Sequence, residues 1–221
     1  MSEVTLTVRG ENETRVAPER ATVRVTVRSD GPERAAVVER TLRLAEPLRT
    51  SLAERSEAGT LVDWTSKRLS VRAERPWNNE GRRLAPVYYA SVDFTATFSE
   101  ASELSIWVSD VSAGEGIEIG WVDWHLTAET RTRVEREVAA SAVGVAVTRA
   151  EAYAGALGLS SVVPLEVADA GLLSRGPAEP APQLMRARGS AFAAAESAPA
   201  MEYEPEEIVV SATVEARFTA R

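Results

Sequence analysis

The 221-residue sequence contains no cysteine, one histidine (His125) and one lysine (Lys67). Without thiols there is no disulfide, no thiolate nucleophile and no cysteine-ligated metal. A hydroxyl nucleophile served by an imidazole base would have to recruit His125, which follows Asp123 on an alternating apolar segment. No run approaches the ~20 consecutive apolar residues that cross a bilayer, so no integral membrane segment is expected. The chain starts Met1-Ser2 and runs directly into an alternating segment, with no basic stretch leading into an apolar one, so the expectation is a cytoplasmic protein. Net charge is −8, which argues against nucleic acid as a partner, because phosphate binding needs a basic face. Gly114-Glu115-Gly116 precedes a strand pattern rather than a helix, the wrong order for a phosphate-cradling turn. The acidic residues lack calcium-loop spacing. The residues therefore point to no catalytic set, no metal and no cofactor.

What is present is strong patterning. Val4, Leu6 and Val8 alternate with polar residues before Gly10-Glu11-Asn12, where a turn is expected. Val23, Val25 and Val27 alternate likewise. Val38, Leu42, Ala45, Leu48 and Leu52 mark a helical stripe, with a kink or break expected near Glu46 because Pro47 removes a backbone donor. Leu69, Val71 and Ala73 predict a strand. Trp77-Asn78-Asn79-Glu80-Gly81 has hairpin-turn chemistry, and Tyr88, Ala90, Val92, Phe94, Ala96 and Phe98 form the returning strand. Ser99 is a candidate cap for a helix burying Leu104, Trp107, Val108 and Val111. In Ile117–Leu126 the apolar phase slips, which a bulge near Gly120 would explain. Thr127 can cap a long helix, with Val134, Val138, Ala142, Val145, Ala152 and Ala156 expected on its buried side and Gly158 just past its end. Val163, Leu165 and Val167 predict a short strand, which Pro164 places at an edge. Ile208, Val210, Ala212, Val214, Ala216 and Phe218 alternate so cleanly that their strand should be central to a sheet.

The implied fold class is α+β, with antiparallel sheets packed by one long helix in the C-terminal half and one kinked helix in the N-terminal half. A single domain over residues 1–221 is expected, interrupted by a Pro/Ala-rich connector at 170–205. Within it Leu184, Met185 and Phe192 are the apolar anchors. They and Trp77, an indole in a loop, are the candidates for a subunit interface. Tyr88, Trp121 and Trp124 are the candidates for a small-molecule pocket between sheet and long helix.

Several segments taken in order resemble the SIMPL-domain family of bacterial proteins. They are Val8-Arg9-Gly10-Glu11; Val16-Ala17-Pro18-Glu19-Arg20-Ala21, with Glu19 where Asp is usual; and Tyr89-Ala90 with the strand to Phe98 and the helix start at Ser99–Leu104. Gly116–Leu126, Arg149-Ala150 with Ala156-Leu157-Gly158, and Glu204-Pro205-Glu206-Glu207-Ile208 complete the series, Glu206 standing where Gly is usual. The resemblance implies an α+β fold, large ring-like homo-oligomers, and a loose link to oxidative-stress tolerance. Most members carry export signals, and the resemblance supplies no catalytic residues. A self-assembling, non-enzymatic protein is the leading expectation, a small-molecule binding module the second.

Overall fold

The computed structural model describes residues 3–173 and 203–221. Among them eight strands and three helices form an α+β protein whose strand pairs are all antiparallel. The chain divides into two compact units. Leu184, Met185 and Phe192 of the connector lie outside the described residues.

The first unit takes β1 (Val4–Val16), a 29-residue helix (Ala128–Ala156), a strand at Val162–Asp169 and the final strand at Ile208–Ala220. The final strand is central and the Val162 strand lies at an edge, as their patterns predict. The expected turn at Gly10 does not form. β1 runs straight through it and pairs with the final strand from Val4↔Ala220 to Val16↔Ile208. Gly10 is there for a different reason. A Cβ at this position would sit 2.7 Å from Ala146 N and 2.9 Å from Ala146 Cβ, so the missing side chain is what lets the long helix lie down on the strand. The same closeness corrects the helix phase. The buried residues are Val134, Val138, Ala142, Ala146, Ala150 and Ala154, a run at i, i+4, whereas Ala152 and Ala156 are exposed and Val145 only partly covered. Valine marks the buried stripe by hydrophobicity, but a helix pressed on backbone selects the smallest side chain. The four alanines pack with Leu6, Val8, Val214, Ala216, Phe218 and Ala220, while Val134 and Val138 pack with Leu126 and Val210.

Both ends of the long helix follow the sequence. Thr127 Oγ1 accepts the Thr130 N–H at 3.2 Å. Gly158, at φ +75°, carries the paired bonds Leu159 N–H to Ala154 O and Gly158 N–H to Gly155 O that close a Schellman cap. The charged residues of the Thr130–Glu137 stretch lie on the surface around the buried Val134, with ion pairs Arg131–Glu135 and Arg133–Glu137.

The second unit holds β2 (Arg20–Gly31), α1 (Arg34–Glu57), β3 (Leu61–Ser66), β4 (Ser70–Glu74), β5 (Val87–Phe98), α2 (Ala101–Ser112) and β6 (Ile117–His125); the first unit's elements are, in chain order, β1, α3, β7 and β8. The sheet order is β3-β5-β2-β6, and β4 pairs with the first half of β5 while β3 pairs with its second half. β3 has no counterpart in the sequence reading, because Val62, Asp63 and Thr65 break its alternation. Val23, Val25, Val27, Val92, Phe94, Ala96 and Phe98 face α1 and α2, and Phe94, Phe98 and Trp107 are fully buried. The Trp107 ring lies 5.4 Å from that of Phe98, and its indole N–H reaches Ser51 Oγ at 3.3 Å, so the largest core side chain is also satisfied. The other face is polar, with Thr22 bonded to Thr97 and Thr26 to Asp93, each at 2.9 Å.

Three local expectations change here. The buried stripe of α1 is Val37, Thr41, Ala45, Leu48 and Leu52, and Leu42 is 48% exposed. Thr41 takes the core position because its hydroxyl is consumed by Val37 O at 2.9 Å and by Ser29 Oγ at 2.6 Å. Of the kink or break expected near Glu46, the break is absent: α1 continues through Pro47, which lies on the exposed side, where water can serve the carbonyl left without a donor. α2 starts after Glu100, with no side-chain cap, so Ser99 does not cap it. The bulge near Gly120 is present: Val23 pairs Val122 and Val25 pairs Ile119, leaving Gly120 and Trp121 opposite Arg24.

Candidate functional site

The indole and phenol candidates are scattered rather than gathered. Tyr88 pairs with Gly31 and Ala73 at one end of the five-stranded sheet, and Trp124 pairs with Ala21 at the other. Trp121 sits in the β6 bulge, 55% exposed, with the Arg24 guanidinium 6.0 Å from its ring centre. Trp124 packs against Tyr203 at 6.3 Å. All belong to the sheet covered by α1 and α2, while the long helix α3 covers the other sheet. The expected pocket between sheet and long helix therefore does not collect these residues. Among the concavities of the described residues, one of about 600 Å³ is an open depression along Ser141, Gly144, Val145, Thr148 and Ala152 of α3. A second, of about 210 Å³, lies among Arg28, Asp30, Arg40 and Glu115, where both arginines are already paired, Arg40 with Glu115 and Arg28 with Glu118.

His125 ends β6 with Nδ1 3.2 Å from the Asp123 carbonyl and 4.0 Å from the Asp123 carboxylate. Its described contacts include no hydroxyl positioned for activation. Among the described residues no three His, Asp or Glu side chains gather as metal ligands.

Burial pushes the Tyr203 phenol above its ordinary value of 10.0. The charged form is the disfavoured one, so the unfolded chain ionises first and stability falls as pH rises past about 10. Tyr203→Phe is expected to flatten that alkaline loss. Urea midpoints of both proteins at about pH 8 and about pH 11 check this; an identical drop in both would show that Tyr203 does not contribute.

The most built feature outside the cores is the hairpin joining β4 to β5. Asn78 Oδ1 accepts the N–H groups of Glu80 and Arg82 at 3.1 and 2.8 Å, Asn78 N–H reaches Arg82 O at 2.9 Å, and Leu84 N–H reaches Pro76 O at 2.8 Å. Trp77 bridges to Arg83 across the turn. On this frame Trp77 is 62% exposed, with the Arg83 guanidinium 4.9 Å from its ring centre, and Arg72 lies 5.1 Å from the Tyr89 ring. From Lys67 to Arg83 there are six basic and two acidic residues in a chain of net charge −8. Sequence reasoning singled out Trp77 but missed these arginines. The signal was available in the interleaving of Arg72, Arg75, Arg82 and Arg83 with Trp77, Tyr88 and Tyr89.

Fold and site together define an α+β protein of two antiparallel sheets, each packed by helix, with an ordered aromatic hairpin on its surface. The profile of the SIMPL family, described as a protein of unknown function (DUF541), matches residues 6–218. The chain belongs to the SIMPL family. No curated protein matches it.

Proposed function

We propose that this chain is a non-enzymatic, self-assembling member of its family, with the β4–β5 hairpin as an anchor between subunits; a stress-related role is proposed on the family resemblance alone. The observation that carries the reading is Trp77. An indole held in the open by a hydrogen-bonded turn, with an arginine stacked on it, has the composition of an interface hot spot, where Trp and Arg are enriched. Small-molecule binding has less support, because ligand pockets enclose most of their ligand and the concavity along α3 is an open depression on one helix.

Light scattering at micromolar concentration tests the reading. A multiple of the 23.8 kDa chain mass is expected. Trp77→Ala should weaken association by about 2 kcal/mol, roughly 30-fold in Kd, while leaving thermal stability near wild type because the ring is exposed. A monomeric wild-type mass would reject the proposal.

A further inference from the structure

Among the charges of the second unit that have no ion-pair partner in the described residues, two groups lie near the opposite ends of β5. Arg75, Arg82 and Arg83 are exposed on the hairpin, Arg83 over the Trp77 ring. Glu204 and Glu206 are exposed on the segment that flanks Pro205. Neither set is placed loosely. The hairpin is held by Asn78, and the acidic segment starts from Tyr203, which packs on Trp124 and whose N–H reaches Ser105 Oγ at 3.2 Å.

The strand register shows that the two sets cannot meet within one copy. Trp124 pairs with Ala21, and Ala21 pairs with Phe98, so Tyr203 sits at the Phe98 end of β5. The hairpin lies beyond Val87, the other end of the same strand. At about 3.3 Å per residue the two ends are roughly 35 Å apart. Glu206 is three residues from Tyr203, a reach of at most about 10 Å.

Resting on the self-assembly reading, we infer that the Trp77 hairpin of one copy receives the Glu204–Glu206 segment of a second copy, the arginines meeting the carboxylates and the Trp77 face covering Pro205. A cationic patch at one end of a rigid unit and its acidic complement at the other make a head-to-tail contact. Such a contact is heterologous, so it builds closed rings or open filaments rather than an isologous pair. The chemistry that recognises the hairpin is an acidic peptide containing proline, and the chain supplies that peptide itself.

Charge reversal tests this. The protein mass is measured at about 50 and about 500 mM salt for wild type, Arg82→Glu/Arg83→Glu, Glu204→Lys/Glu206→Lys, and the chain with all four changes. Wild type should assemble and dissociate in high salt. Each double variant should weaken association at least tenfold, and the fourfold variant should recover it, which also shows that the reversed side chains are compatible with folding. Wild-type assembly that ignores both double variants would overturn the hairpin–acidic-segment contact while leaving self-assembly standing. Weakening by the arginine variant alone would reject the acidic segment as the occupant. A monomeric wild type that binds a single-stranded oligonucleotide through Arg82 and Arg83 would overturn both readings in favour of a polyanion partner.

Discussion

Gly10→Ala is expected to unfold, or nearly unfold, the three-stranded unit. The added methyl would be driven into the backbone of α3, within 2.7 Å of Ala146 N, and a helix backbone cannot rotate aside as a flexible side chain does. Overpacking a core costs typically about 1–3 kcal/mol when side chains absorb it. Here the 29-residue helix and a strand paired along its whole length would have to separate, so the loss should lie at or above the top of that range. Gly144→Ala is the control, since a Cβ there meets nothing within 4 Å and alanine favours the helix. Chemical denaturation of both variants decides it. Equal stability of Gly10→Ala and wild type would mean that the strand and helix are further apart than the structure places them.

Phe94→Ala carries the second large effect. Phe94 is fully buried in the centre of β5, between Val25 on β2 and Ser66 on β3, and belongs to the core under α1 and α2. Removing its ring leaves a cavity that rigid neighbours on three sides cannot fill, and about 3–5 kcal/mol should be lost. Thr95→Ala, one residue on and on the polar face, should cost well under 1 kcal/mol. Urea midpoints compared at constant slope give the difference. Similar losses for the two would mean that the strand faces are assigned the wrong way round.

What could be read from the sequence tracks how strongly local chemistry determines each element. β5 alternates along its paired length and β8 carries an apolar residue at every second position, so the buried face of each, and the central place of β8, followed directly. Thr127 and Gly158 bound α3 through their own hydrogen-bonding and backbone requirements, and both positions hold. The errors arise where a distant partner sets the rule. Gly10 looks like a turn residue, yet a helix some 130 positions later dictates it. Thr41 looks like a surface residue until Ser29 supplies a partner that lets it be buried. The buried alanines of α3 carry almost no hydrophobic contrast, so their phase is legible only from the backbone they press against. At the candidate site, Trp77 stood out because a loop indole is unusual. The grip of Asn78 and the stacking of Arg83 depend on the folded turn, and no spacing rule announces them.

The pairing of β1 with β8 also dictates an order of events during synthesis. Val4 must find Ala220, so β1 waits for some 200 residues to be made before its partner exists. The elements between, β2 through β6, form a continuous stretch with its own core and can close as soon as they emerge. Until β8 arrives, β1 offers the cell an unpaired edge of alternating valine and leucine. Such non-local closure is slow, because chain entropy is surrendered before any contact compensates for it. The charges along that strand, Arg9, Glu11, Glu13 and Arg15, act as gatekeepers over this waiting period, before they have any role in the finished sheet.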